Sequence, residues 1–380
     1  MQSNIQKPNS DGQYIAILDG FRGLALLLVM AQHFLGFIPG WVGVDLFFVL
    51  SGFLVTWKLV QGFDDPNYYL NFYWRRIVRI FPLYFTLLVV MFLIFPLLIP
   101  SLVTTSYRDL LDMQTWYWTF AQNIYTARFS WPDNISIIHL WSLSAEVQFY
   151  LVWPFVIRLF YKKGRQLTWV VAGLIVFAIV FRLFAGKIMP LSPLYRYVLL
   201  PGRIDSFTAG ALLYLLMHYY ANRLKQVLFW VAISCTALNV LLYVVLQVPI
   251  NFTELFPSRL GYTLVDINWA AWIGYGLLAA NTNLVQQIFT KKILTNIGKY
   301  SYAMYIVHMP LWVMLNRVLQ NKYGLQLKHE PLLLWTVSLA LTAIVYVIGY
   351  FSYHKFERYF MKMKLPAFGG NLTHLEPRGR

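Results

Sequence analysis

The stretch LDGFRGLALLLVMAQHFLGF, residues 18–37, decides the fold. It is long and apolar enough to cross a bilayer as a helix, which takes about 20 residues at a rise of about 1.5 Å each. Yet it carries Asp19, Arg22 and His33. An ionisable group at the membrane centre costs roughly 2.5–3.5 kcal/mol even on the lower of the measured scales, so each needs a partner or a task. Arg22 and His33 are eleven residues apart, close to three helical turns, so they share one helix face about 16 Å apart along the axis.

The rest of the chain agrees with a membrane solvent. Of 380 residues, 59% are hydrophobic and 12% charged, whereas soluble domains carry about 25% charged residues. The mean hydropathy is +0.55. So much apolar surface cannot be hidden in one aqueous core, and the short alternating segments of an outer-membrane barrel are absent from the pattern. The expected fold is all-α, a polytopic helical bundle embedded in a lipid bilayer. Ten hydrophobic runs can be placed, at about 15–38, 42–60, 80–99, 139–160, 167–185, 203–220, 226–246, 263–280, 297–316 and 332–352. The aromatic, semi-polar segment 107–128 reads as an interfacial or re-entrant piece. Residues 15–352 form the expected membrane domain, flanked by tails at 1–14 and 353–380. The polar start shows no cleavable signal pattern, so the first span is expected to stay in the mature protein.

An even number of spans puts both termini on one side. If that side is cytoplasmic, it collects 20 of the 31 lysines and arginines, the other side 10, and Arg22 lies within the first span. The positive-inside rule therefore predicts a multi-pass protein of the inner or plasma membrane with cytoplasmic termini. The net charge of +16 is then largely topological. It falls between hydrophobic runs and does not gather on one aqueous face, which argues against nucleic acid as a partner. The single cysteine, Cys235, excludes an internal disulfide and any multi-cysteine metal centre, and no metal site is expected.

Several motifs place polar groups inside the spans. Asp45 opens the second run in GWVGVDLFFVLSGFL, after a short turn that makes the first two spans antiparallel neighbours. It enters the membrane near the level of His33, where a carboxylate would orient the imidazole and raise its basicity. Equally, it can cap the helix or pair with another base. In FYWRRIVRIFPLY, Arg76 and Arg79 sit at i,i+3 beside Arg75. Guanidinium groups suit phosphate through their planar fork of donors, and they also anchor a span on the positive side. In HLWSLSAEVQFYLVWP, His139, Ser142, Glu146 and Tyr150 form a polar stripe down one face. Arg203 and Asp205 open another span, where they suit an interfacial ion pair. In GKYSYAMYIVHMPLW, Ser301, Tyr305 and His308 share a face. Arg22 itself can pair with Asp19 at i,i+3 or meet an anionic ligand entering from the cytoplasm.

Together and in this order, LDGFRGLALLLVMAQHF, GVDLFFVLSGFL, RRIVRIFPLY, HLWSLSAEVQFYLVWP and GKYSYAMYIVHMPL resemble the membrane acyltransferase family three, which includes bacterial O-acetyltransferases of cell-surface polysaccharides. The resemblance runs from residue 18 to residue 311. It implies an enzyme that moves an acyl group, usually acetyl, from cytoplasmic acyl-CoA to a hydroxyl of a carbohydrate or glycolipid. Acetyl-CoA would be a co-substrate, with no permanently bound cofactor. Carried over by motif, Arg22, Arg76 and Arg79 would bind the acyl-CoA, while His33, Asp45 and Glu146 would be catalytic. His139, Tyr150 and His308 would support them. His33 would act as base toward the acceptor hydroxyl or would itself carry the acyl group briefly. Some members add an extracytoplasmic esterase-like domain. No such domain is read in these residues, so the final transfer is expected on the membrane domain or on a separate partner.

A proton-coupled transporter of a sugar or lipid-linked glycan would also use a polar stripe across ten spans. Transporter halves are expected to show internal symmetry, and none is visible in the sequence.

Overall fold

The computed structural model describes residues 16–99, 104–279 and 283–364. The N-terminal tail expected at 1–14, and residues 365–380 of the tail expected at the other end, lie outside these residues. All ten predicted hydrophobic runs are helical. The principal helices are α1 (Ala16–Leu35), α2 (Val42–Gln61), α3 (Tyr68–Val89), α4 (Trp141–Phe160), α5 (Gln166–Ile188), α6 (Leu200–Val240), α7 (Tyr262–Leu278), α8 (Lys292–Tyr323) and α9 (Pro331–Phe351). Among the described residues, seven helical stretches meet both the length and the apolarity needed to cross a bilayer. The other three predicted runs fall in the first half of α6, in the 17-residue α7 and within α8. The chain is thus an all-α, multi-pass membrane protein.

α6 contains two of the predicted runs. Its backbone leaves the helical region at Tyr220 (φ −134°, ψ 25°). Leu213 and Leu228 both reach Gly274 on α7, although a straight helix would hold two residues fifteen apart about 22 Å from each other. The chain therefore turns back at Tyr220, and its two limbs pack side by side.

α1, α2, α8 and the first limb of α6 make the centre of the bundle, and they meet through glycines. A Cβ on Gly52 of α2 would lie 1.8 Å from the Phe207 carbonyl oxygen, and one on Gly210 of α6 would lie 1.9 Å from that of Val49. The α1–α8 crossing is built alike, with Gly298 against the Asp19 carbonyl. Close backbone approach takes the place of a hydrophobic driving force, which lipid does not supply. Gly210→Ala is therefore expected to destabilise the protein by about 1–3 kcal/mol. Thermal unfolding in detergent tests this, and an unchanged midpoint would show that the crossing yields easily. Towards the periphery, α5 turns Trp169, Val176 and Phe177 outward, as lipid-facing surface requires.

The semi-polar segment does not span. It folds into three short helices, Thr105–Asp112, Gln114–Trp118 and Gln122–Phe129. It docks on α4 through a reciprocal amide pair: Asn123 donates to Gln148 Oε1 (3.0 Å) and Gln148 donates to Asn123 Oδ1 (2.9 Å). At the other end, the helix after Phe351 does not stop. A π-helical turn, Ser352–Glu357, continues it and leads into Arg358–Met361, leaving Glu357 buried.

Candidate active site

A cavity of about 110 Å³ opens between α1, α2, α3, α4 and α8. Arg22, Ser51, Arg76, Arg79, Glu146 and Tyr150 all line it, each from a position set by helical spacing. Arg76 and Arg79 are one turn apart on α3, and Glu146 and Tyr150 one turn apart on α4, so each pair projects to the same side. All but Ser51 were singled out in the sequence, and the fold brings them together.

The cavity is electrostatically lopsided. Arg22 is held by Asp19 at 2.6 Å, so the predicted i,i+3 pair forms and its guanidinium still reaches the cavity. Arg76 lies over the Tyr150 ring at 5.0 Å, and its Nε is buried with no hydrogen-bond partner among the described residues. Arg79 feels repulsion from both other arginines and attraction from Glu357. Glu146 accepts from Ser51 Oγ at 2.6 Å and from the Tyr150 hydroxyl, and the two hydroxyls touch at 2.6 Å. That carboxylate is satisfied by neutral hydroxyls, so it does not quench the arginines by direct pairing. Three guanidinium groups thus converge on one small space, which suits a polyanion with several oxygens.

Next to this space lies a cluster of three imidazoles. Ser142 and Tyr305, which also line the cavity, bond to each other at 2.6 Å, and Tyr305 donates to the His139 carbonyl at 2.9 Å. The Tyr305 ring packs against both His139 and His308, at 5.2 and 5.4 Å between centroids. His308 and His33 are hydrogen-bonded, Nε2 to Nδ1, at 2.9 Å. A helix-interior proline sets the remaining ring: Pro310 has no N–H to offer the carbonyl of residue 306, four positions back. His139 Nε2 approaches that Ile306 oxygen at 3.3 Å. Among the described residues no group of three His, Cys, Asp or Glu side chains is arranged to hold a metal ion. The imidazoles stack and bridge instead.

Asp45 is not where the basicity argument put it. It forms an ion pair with Arg203, both side chains fully buried, while the hydrogen bond of His33 goes to His308. The alternative reading, a different base, is the one the fold adopts. Arg203 in turn is not paired with Asp205 at an interface. Asp205 pairs with Arg182 of α5 at 2.8 Å, again fully buried, and Arg182 also donates to Thr263 Oγ1 (2.6 Å) and to the Gly202 carbonyl (2.7 Å). These charges belong to a network between α2, α5, α6 and α7. Burying these charges is offset by the direct pairing of opposite signs, Asp45 with Arg203 and Asp205 with Arg182.

Sequence reasoning missed Ser51 and Arg182. Ser51 stands in LSGFL, inside a motif already singled out, and its position one residue before the close-approach glycine was the available signal. Arg182 had only its charge, inside an otherwise apolar run, to mark it.

The acyltransferase domain of the acyltransferase 3 family matches residues 15–354. Among characterised or provisionally named proteins, the chain is 27% identical to peptidoglycan O-acetyltransferase OatA of Listeria monocytogenes, over 81% of this chain and 51% of that protein. It is 28% identical to YrhL of Bacillus subtilis, provisionally named for the same activity, over 80% of this chain and 49% of that one. A Staphylococcus aureus protein provisionally named an O-acetyltransferase is 27% identical over 78% of this chain and 50% of its own length. The chain thus spans about half the length of these relatives. No solved structure matches it. With a match across almost the whole helical bundle, including every residue of the cavity and the imidazole cluster, the chain belongs to the acyltransferase 3 family.

Proposed function

We propose that the chain is a membrane O-acyltransferase that moves an acetyl group from cytoplasmic acetyl-CoA to a hydroxyl of a cell-surface or lipid-linked carbohydrate. One observation carries the reading: three guanidinium groups, from Arg22, Arg76 and Arg79, share a cavity that abuts the imidazole cluster containing His33. The arginines would hold the phosphates of the donor and the histidine would act at its thioester carbonyl. As base, His33 takes the proton of the acceptor hydroxyl while the oxygen attacks the carbonyl carbon. The C–S bond then breaks and the imidazolium proton passes to the departing thiolate. As carrier, the His33 nitrogen attacks the carbonyl carbon and the C–S bond breaks to release CoA. The acceptor oxygen then attacks the acyl-imidazole, the acyl–nitrogen bond breaks and the hydroxyl proton passes to the freed ring nitrogen. Both routes need an unprotonated ring nitrogen facing the carbonyl.

The family and the names of the relatives favour this over the transporter. Muropeptide hydroxyls follow by analogy with the Listeria relative's name. The test is transfer of radiolabelled acetyl from acetyl-CoA to peptidoglycan fragments by purified protein. Absence of label on any carbohydrate offered, in a folded preparation, would count against it. Within this reading, Arg79→Lys keeps the charge and loses the fork, so the KM for acetyl-CoA should rise about tenfold, the loss of one charge-assisted hydrogen bond. An unchanged KM would leave Arg79 with a purely topological role.

A further inference from the structure

A carbonyl oxygen can only accept a hydrogen bond. His308 Nδ1 lies 2.6 Å from the Tyr305 carbonyl oxygen, so Nδ1 carries the ring proton. Among the described residues no carboxylate hydrogen-bonds either His308 or His33, so the rings are neutral, and His308 Nε2 is then a lone-pair acceptor. The group facing it at 2.9 Å is His33 Nδ1, which must therefore be the donor. The proton of His33 is thus accounted for at Nδ1. Its Nε2 keeps its lone pair, and no other described residue is hydrogen-bonded to His33. His139 is fixed in the opposite sense, donating from Nε2 to the Ile306 carbonyl that Pro310 leaves free.

We infer that His308 is a positioning residue: anchored by the Tyr305 carbonyl, it accepts the Nδ1 proton of His33 and so holds His33 with Nε2 unprotonated for work at the acyl carbon. Asp45, spent on Arg203, does not fill this place. A backbone carbonyl and a second imidazole do what a carboxylate does in other base-orienting arrangements, and they do it without placing a further charge beside the thioester. The inference rests on the assignment of His33 to chemistry.

The two can be tested apart. In protein carrying ¹⁵N-labelled histidine, long-range ¹H–¹⁵N correlations report which ring nitrogen holds the proton. His33 and His308 are expected in the Nδ1–H form and His139 in the Nε2–H form. Finding His33 as Nε2–H would overturn the inference whatever the activity shows. Among variants, His308→Phe fills the space without an acceptor, whereas His308→Gln offers an amide oxygen. His308→Phe should lower kcat tenfold or more at unchanged KM for acetyl-CoA and change the His33 tautomer, and His308→Gln should recover most of kcat. Equal losses in both variants with the His33 tautomer unchanged would also overturn it. Full activity of His33→Ala would instead remove the reading on which it rests, leaving the tautomers as found.

Discussion

His33→Ala is expected to lower acyl transfer by a hundredfold or more, the usual scale for loss of a positioned general base, while acetyl-CoA still binds. His33 does not line the arginine cavity, and along α1 it is about 16 Å from Arg22, so donor recognition should survive its loss. The structural cost should be small, because the side chain is half-buried and contributes one hydrogen bond, to His308. Turnover with acetyl-CoA, paired with an equilibrium binding measurement, separates the two effects. Comparable turnover in a well-folded variant would take His33 out of the chemistry.

The largest effect on stability is expected at Arg203. Its side chain and that of Asp45 are both fully buried, and the guanidinium also lies over the Tyr262 ring at 4.2 Å. Arg203→Ala would leave Asp45 charged and alone in a low-dielectric setting, at a cost of about 3–5 kcal/mol. Removing both charges in Asp45→Leu with Arg203→Met should recover much of that loss, since an apolar pair of similar volume avoids the desolvation penalty. Thermal unfolding in detergent micelles measures both. A single variant as stable as the parent would show that the pair does not hold α2 to α6. If Asp45 were instead the group that orients His33, Asp45→Leu with Arg203→Met would be stable yet inactive. The geometry predicts that it keeps a measurable part of its activity.

How legible the protein was in its sequence depends on the range of the interaction. Helical runs are local, and each predicted run is helical because apolar length alone dictates it in lipid. Arg76 with Arg79, and Glu146 with Tyr150, are also local: one turn of helix sets their common direction before any tertiary contact forms. The partner of Asp45 was not legible. Arg203 lies on a helix far along the chain, and nothing in the period of either helix encodes their meeting, whereas Arg203 and Asp205 two residues apart invited a pairing that helical geometry disfavours. Ser51 was hidden for a different reason. A serine in a membrane helix commonly bonds its own backbone or a neighbouring helix, and only the fold shows that it meets Glu146 and Tyr150 in a cavity. The link between His33 and His308 needed the α1–α8 crossing, which the glycines at 23 and 298 permit but do not announce.

The central claim is that an acyl group passes across the bilayer from an arginine-lined donor site to an imidazole about three helical turns further along. Oriented proteoliposomes test it most directly. Acetyl-CoA should support reaction only from the face expected to be cytoplasmic, and acetylated carbohydrate should appear on acceptor confined to the opposite face. A requirement for donor and acceptor on the same face would contradict the account, even if acyl transfer itself were observed.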